Sequence, residues 1–224
     1  MNLRPPVQRR LAFADVEDRP RPCEALAEGA LLLRGFALPY GEAVIAELPA
    51  IVAAAPFRHL VTPGGHRMSV AMTNCGALGW VSDRCGYRYE RCDPDSARPW
   101  PAMPTCFREL AADAARAAGH GRYAPDVCLV NRYAPGSRLT LHQDRDERGL
   151  AAPIVSVSFG LPATFLLGGL RRSDRTRRVE LTHGDVVVLG GPSRLRFHGV
   201  LPLKAGVHEI LGGLRINLTF RKAG

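Results

Sequence analysis

From about Asp126 to the C-terminus the chain is a succession of short apolar, often β-branched runs separated by Gly or Pro. That pattern restricts the fold more than any other feature of the sequence. The runs are Val127–Tyr133, Leu139–Gln143, Ile154–Phe159, Ala163–Leu167, Arg177–Leu181, Val186–Leu189, Arg194–His198 and Leu214–Arg221. Eight strands of this length bury their apolar faces by closing two sheets on each other, which predicts a double-stranded β-helix, or jelly roll, as the core.

The first half differs. Glu42 to Ala55 holds helix formers interrupted by Pro49, and Pro56 stops any continuation, so short helices are expected. Arg67 to Cys92 mixes Gly, aromatic and basic residues and reads as short strands and loops, a mobile flap. Thr105 is expected to cap a helix ending at Gly119, which carries few large apolar residues and should pack thinly. The fold class is therefore α+β. The expected parts are an N-terminal extension with short helices (1–57), a lid with its supporting helix (58–125) and the jelly-roll core (126–224).

Bulk properties narrow the function. Of 224 residues, 46% are hydrophobic and 23% charged, which is globular and argues against disorder. The net charge of +9 and pI of about 9.8 favour polyanionic partners. No segment is long and apolar enough to span a bilayer, and Met1 to Pro6 lacks the apolar run of a secretory signal, so no membrane role and a cytoplasmic location are expected. The six cysteines form no C-x-x-C pair and match no zinc module; reduced thiols are expected. Nothing suggests an obligate interface, and a monomer is the default.

His142-Gln143-Asp144 places two ligand types two residues apart at a strand end, on one side of the strand. His198 ends a later strand. Two histidines and a carboxylate make the facial triad of non-haem Fe(II) oxygenases, which leaves three metal positions open. Taken alone, the same residues fit an ordinary turn hydrogen bond or a zinc hydrolase. The last run, LRINLTFR, sets Arg215, Asn217, Thr219 and Arg221 on one face and Ile216, Leu218 and Phe220 on the other. If the polar face is exposed, this is a bland edge strand. If it is buried, two arginines need anionic partners, and a dicarboxylate suits their forked donors. Asn131 and Tyr133 share a face of an earlier strand and could donate to the same anion.

The stretches MSVAMTNCGALGW, PWPAMP, NRYAPGSRLTLHQDRDE, APIVSVSFGLPATF, HGDVVVLGG, SRLRFHGV and RINLTFRKAG resemble the bacterial AlkB family of Fe(II)- and 2-oxoglutarate-dependent nucleic-acid demethylases. The resemblance runs in order over roughly residues 60 to 224. It implies His142, Asp144 and His198 as iron ligands. It implies Asn131, Tyr133, Arg215, Asn217 and Arg221 as 2-oxoglutarate contacts. Trp80 would lie over the damaged base, Asp146 near its exocyclic amine, and Thr62, Tyr87 and Arg172 against substrate or phosphates. The segment Arg67 to Cys92 would be a nucleotide-recognition lid. The implied reaction is O2-dependent removal of methyl groups from 1-methyladenine and 3-methylcytosine, releasing formaldehyde, succinate and CO2. The implied partner is single-stranded DNA, with RNA as a further candidate. Two alternatives remain: the same chemistry on another substrate, such as modified RNA or protein, and a catalytically silent nucleic-acid-binding barrel. His183 and Asp185 are read as fixing a turn rather than as a second metal site.

Overall fold

A computed structural model describes residues 23–224; the absence of a signal at the start of the chain, and the first part of the extension, concern residues outside that range. Thirteen strands are described. They are β1 (Cys23–Ala27), β2 (Ala30–Leu33), β3 (Ala71–Gly76), β4 (Gly79–Asp83), β5 (Gly86–Glu90), β6 (Val127–Tyr133), β7 (Leu139–His142), β8 (Ile154–Gly160), β9 (Ala163–Leu167), β10 (Arg177–Leu181), β11 (Val186–Leu189), β12 (His198–Val200) and β13 (Arg215–Arg221). A major sheet runs β1-β2-β11-β8-β13-β6-β3, a minor sheet β10-β9-β12-β7, and β4 and β5 form a separate hairpin. Every strand pairing described is antiparallel. The two larger sheets are the jelly roll expected from the strand pattern.

The alternation along β13 separates two cores. Ile216, Leu218 and Phe220 face a core shared with helices α1 (Gly41–Ala54) and α2 (Thr105–Ala117), where Phe107 meets Phe220 edge-on at 6.1 Å between ring centroids. The opposite face of the major sheet carries Tyr133 and Leu129 into a second core with Phe165, Leu167 and Val200 of the minor sheet. The β13–β6 register sets Arg215 opposite Tyr133 and Asn217 opposite Asn131, so these polar residues share that second face. All seven residues of β13 are buried, which removes the edge-strand alternative.

Four local expectations are corrected. Helix α1 is continuous through Pro49 rather than split into short helices. Val44, Leu48 and Ile51 form its buried stripe while Pro49 sits on the exposed side, so burial outweighs the lost backbone hydrogen bond. Thr105 does not cap α2: Pro104 is the N-cap, and the Thr105 hydroxyl accepts from Arg108 instead. Nor does α2 pack thinly, because Ala111, Ala114 and Ala115 are fully buried and their small side chains admit close approach to the sheet. Arg194 and Leu195 form a turn and Arg196 and Phe197 have no regular structure, so β12 begins only at His198; the Arg194 and Arg196 side chains bond to backbone carbonyls of other segments.

The sequence also concealed two placements. Strands β1 and β2 extend the major sheet through β2–β11 pairing, a contact between residues about 155 positions apart. Within the expected flap, β3 is fixed as the far edge of the major sheet against β6, and the separate hairpin comprises only β4 and β5. All six cysteines are free thiols.

Candidate metal and oxoacid site

Strands β7 and β12 are neighbours in the minor sheet, and their register sets His142 opposite His198. The imidazole centroids are 4.5 Å apart. Asp144, two residues beyond His142, turns inward between them. His142 Nε2 lies 3.7 Å from Asp144 Oδ1, and His198 Nε2 lies 3.7 Å from Asp144 Oδ2. Among the described residues these three form a group whose candidate ligand atoms all lie within 4.8 Å of one another.

Backbone carbonyls set both tautomers. His142 Nδ1 lies 2.9 Å from Thr140 O and His198 Nδ1 lies 3.0 Å from Arg196 O, so each Nδ1–H donates and each Nε2 keeps its lone pair toward the centre. Burial, then the neighbouring His142, holds the His198 pKa down at about 4, which keeps its imidazole neutral. Burial would raise the Asp144 carboxyl, but the Arg221 guanidinium and the two imidazoles hold it well below the usual carboxylate range. The result is two imidazole nitrogens and one carboxylate converging on one point, a set suited to a divalent transition metal.

The buried polar face of β13 adjoins this cluster. Arg221 donates to Asp144 Oδ2 through Nε at 3.1 Å and Nη2 at 2.8 Å. Arg215 is fully buried; its Nη2 donates to Ser158 Oγ at 2.9 Å and its guanidinium carbon lies 4.8 Å from the Tyr133 ring centroid. Asn217 donates to Ser156 Oγ and Val157 O, while its Oδ1 accepts from Asn131 and Thr219. Several atoms here are buried without a protein partner: Arg215 Nε and Nη1, Arg221 Nη1 and Asn131 Oδ1. An unmet buried donor costs on the order of 1–3 kcal/mol, more when charged. Three unmet guanidinium donors on the strand face that adjoins Asp144 fit a dicarboxylate such as 2-oxoglutarate.

The hairpin β4–β5 covers the next segment. Trp80 and Tyr87 stack at 5.6 Å with their rings 12° from parallel. Trp80 Nε1 donates to Asp146 Oδ2 at 3.1 Å. These three residues are thus brought together next to Asp144. The other two expected substrate residues lie in separate loops. Thr62 anchors a tight turn to His66 through its backbone and hydroxyl. Arg172 lies over the Phe197 ring at 5.4 Å, next to His198 in sequence.

Three residues of this region carried no legible sequence signal. Glu147 has a buried side chain, ion-paired to Arg194 Nη2 at 3.0 Å and to Arg221 Nε at 3.3 Å. Arg194 also donates to Asp144 O at 2.7 Å and Ala152 O at 3.1 Å, holding the segment after Asp144. Tyr89 of β5 donates to Glu147 Oε1 at 2.7 Å. Two arginines match two carboxylates in this network, but their separation in sequence hid the match. Elsewhere, Asp185 accepts from Thr182 and Gly35, fixing the expected turn, while His183 accepts from Gly160 N–H at 3.0 Å and stacks on His208.

The family model "2OG-Fe(II) oxygenase superfamily" matches residues 29–221. The chain is 56% identical over 212 residues to the Escherichia coli K12 protein named "Alpha-ketoglutarate-dependent dioxygenase AlkB", covering 95% of this chain and 97% of that one. It is 48% identical over 170 residues to "Alpha-ketoglutarate-dependent dioxygenase AlkB homolog" of Caulobacter vibrioides NA1000, covering 75% and 76%. Among solved structures, "The structure of OsALKBH1" superposes with a TM-score of 0.79 at 29% identity, over 90% of this chain and 100% of that one.

Proposed function

The chain belongs to the AlkB family of the 2OG-Fe(II) oxygenase superfamily, and from that membership we propose that it repairs alkylated nucleic acid by oxidative demethylation of the base. It is an Fe(II)- and 2-oxoglutarate-dependent dioxygenase. The observation that carries the reading is the adjacency of two donor sets. The Nε2 atoms of His142 and His198 converge on Asp144, and unmet buried donors of Arg215 and Arg221 lie beside them.

When bound, Fe(II) supplies the oxidation of the alkyl carbon by O2, coupled to conversion of 2-oxoglutarate to succinate and CO2. In this reading His142, Asp144 and His198 hold the metal, and Arg215, Arg221, Asn131, Tyr133 and Asn217 hold the oxoacid. Burial of Asp144, His198 and the oxoacid residues strengthens each charge interaction there. Ring-nitrogen methylation makes 1-methyladenine and 3-methylcytosine cationic. The Trp80 face attracts a cation by roughly 0.5–2 kcal/mol, and the Asp146 carboxylate adds opposite charge and accepts from an exocyclic amine. Thr62, Tyr87 and Arg172 serve the nucleotide or its phosphates, and the positive surface holds the backbone. A base must leave the stack to reach such a pocket, and single strands yield it at least cost, so single-stranded DNA is the proposed substrate and RNA a second one. The protein acts as a monomer in the cytoplasm.

The test is incubation with Fe(II), 2-oxoglutarate and ascorbate on a single-stranded oligonucleotide containing 3-methylcytosine, followed by mass spectrometry. The expected product is lighter by one methylene, and a His142→Ala variant leaves the oligonucleotide unchanged. An unchanged oligonucleotide with wild-type protein, while succinate still forms, rejects this substrate and keeps the oxygenase. Absence of succinate rejects both.

A further inference from the structure

Strand β4 pairs with no strand of the major sheet, yet one side chain of that sheet holds it at Trp80. Asn74 is buried on β3, opposite Leu129 of β6. Its Nδ2 donates to Trp80 O at 3.0 Å, and its Oδ1 accepts from Trp80 N–H at 3.0 Å. A primary amide carries a donor and an acceptor on one carbon, so it matches the N–H and C=O that a strand residue presents on one side. Asn74 therefore pairs with Trp80 as a neighbouring strand would. Strand β5 lies along the other edge of β4, with Tyr89 opposite Trp80.

Trp80 is thus held from two directions. At the ring edge Nε1 donates to Asp146 Oδ2, in an exposed contact. That carboxylate is also the acceptor for the exocyclic amine of the base in the reading above. The Asn74 bonds end on backbone atoms and involve no group assigned to the substrate, so they persist when a base is bound. Attraction between a cation and an indole requires the cation to lie over the ring face, so a shifted or rotated backbone at Trp80 forfeits it. A ring oriented in advance costs less ordering on binding. We propose that Asn74 is a positioning residue for recognition of the damaged base, holding Trp80 in the orientation that stacks on a cationic ring. This rests on the placement of Trp80 over the base in the reading above.

The test is a double-mutant cycle of Asn74→Ala and Trp80→Ala. Because Asn74 bonds backbone atoms, its bonds survive in Trp80→Ala, but no indole is left to orient. Affinity is measured for a single-stranded oligonucleotide with one 3-methylcytosine and for the same oligonucleotide with cytosine. The full chain carries 2-oxoglutarate, and Mn(II) in place of Fe(II), so that binding is read without turnover. Asn74→Ala is expected to lower the preference for the methylated strand about three- to tenfold, within the range that a cation over an indole contributes. Its affinities for Mn(II) and for the unmethylated strand stay at wild type. In the Trp80→Ala background the same substitution removes no further preference. Asn74→Asp keeps the acceptor for Trp80 N–H and lacks the donor; its loss is smaller, and it carries the same cycle if the alanine variant fails to fold. An unchanged preference in Asn74→Ala overturns the proposal. So does an equal loss in both backgrounds, which marks support of the hairpin rather than orientation of the indole. A parallel fall in Mn(II) affinity marks general damage and overturns it too. If Trp80→Ala alone keeps the wild-type preference, the placement of Trp80 over the base falls, and the role of Asn74 with it, while demethylation by the wild type decides the oxygenase reading separately.

Discussion

Arg215 and Arg221 project from the same face of β13 and both are buried, yet their surroundings differ. Arg215 donates to Ser158 and has the Tyr133 ring beside it, with no carboxylate among the partners described. Burial accordingly lowers its pKa, with only Tyr133 opposing. Arg221 lies between Asp144 and Glu147. Without ligands, Arg215→Met should therefore be neutral or stabilise the protein by up to roughly 3 kcal/mol, because an uncompensated buried charge is replaced by an apolar chain of similar length. Arg221→Met should destabilise it by about 3–5 kcal/mol, because two buried carboxylates lose their partner. Both lose 2-oxoglutarate binding. Urea unfolding of the metal-free proteins distinguishes them, and equal destabilisation by the two substitutions contradicts the argument. Alternation in LRINLTFR places both arginines on one face, but which of them has anionic neighbours depends on residues 74 to 77 positions from Arg221, and no local pattern encodes that.

At the level of elements, the β4–β5 hairpin is supported from beneath by Trp100, whose Nε1 donates to Glu90 O at 3.0 Å. Gly79, the first residue of β4, lies so close to this indole that a Cβ would collide with the ring. Its role is close approach rather than a special backbone angle. Gly79→Ala should displace Trp100, cost on the order of 1–3 kcal/mol and loosen the hairpin. Metal binding by His142, Asp144 and His198 should persist, since the two histidines stand on other strands and Asp144 follows β7. Hydrogen exchange in residues 79–90 and Mn(II) titration read the two effects separately; unchanged exchange in the hairpin counts against the wedge. Helix α1 makes the related point that a prolyl residue does not end a helix when the buried stripe of Val44, Leu48 and Ile51 continues past it.

Across the whole molecule, the proposed metal ligands stand on and beside the minor sheet, while the proposed oxoacid residues stand on the major sheet facing it. Bound at those residues, metal and dicarboxylate would together tie the two sheets. 2-Oxoglutarate should thus raise the melting temperature only when a divalent metal is present. At a hundredfold excess over Kd the gain is about 2.7 kcal/mol, or on the order of 5–10 °C for a chain of this size. A metal chelator should reverse it, and an equal shift without metal would contradict a shared site. Much of this plan was legible in the chain itself. The period-two alternation of Val127–Tyr133 and Leu214–Arg221, and the two-residue spacing of His142 and Asp144, are local consequences of strand geometry. The AlkB resemblance added the roles of those residues. Tertiary structure alone decided the addition of β1 and β2 to the major sheet, the pairing of His142 with His198, and the joining of Tyr89, Glu147, Arg194 and Arg221. Those contacts link residues far apart in sequence, and their energies depend on burial and on partners that no local stretch of sequence specifies.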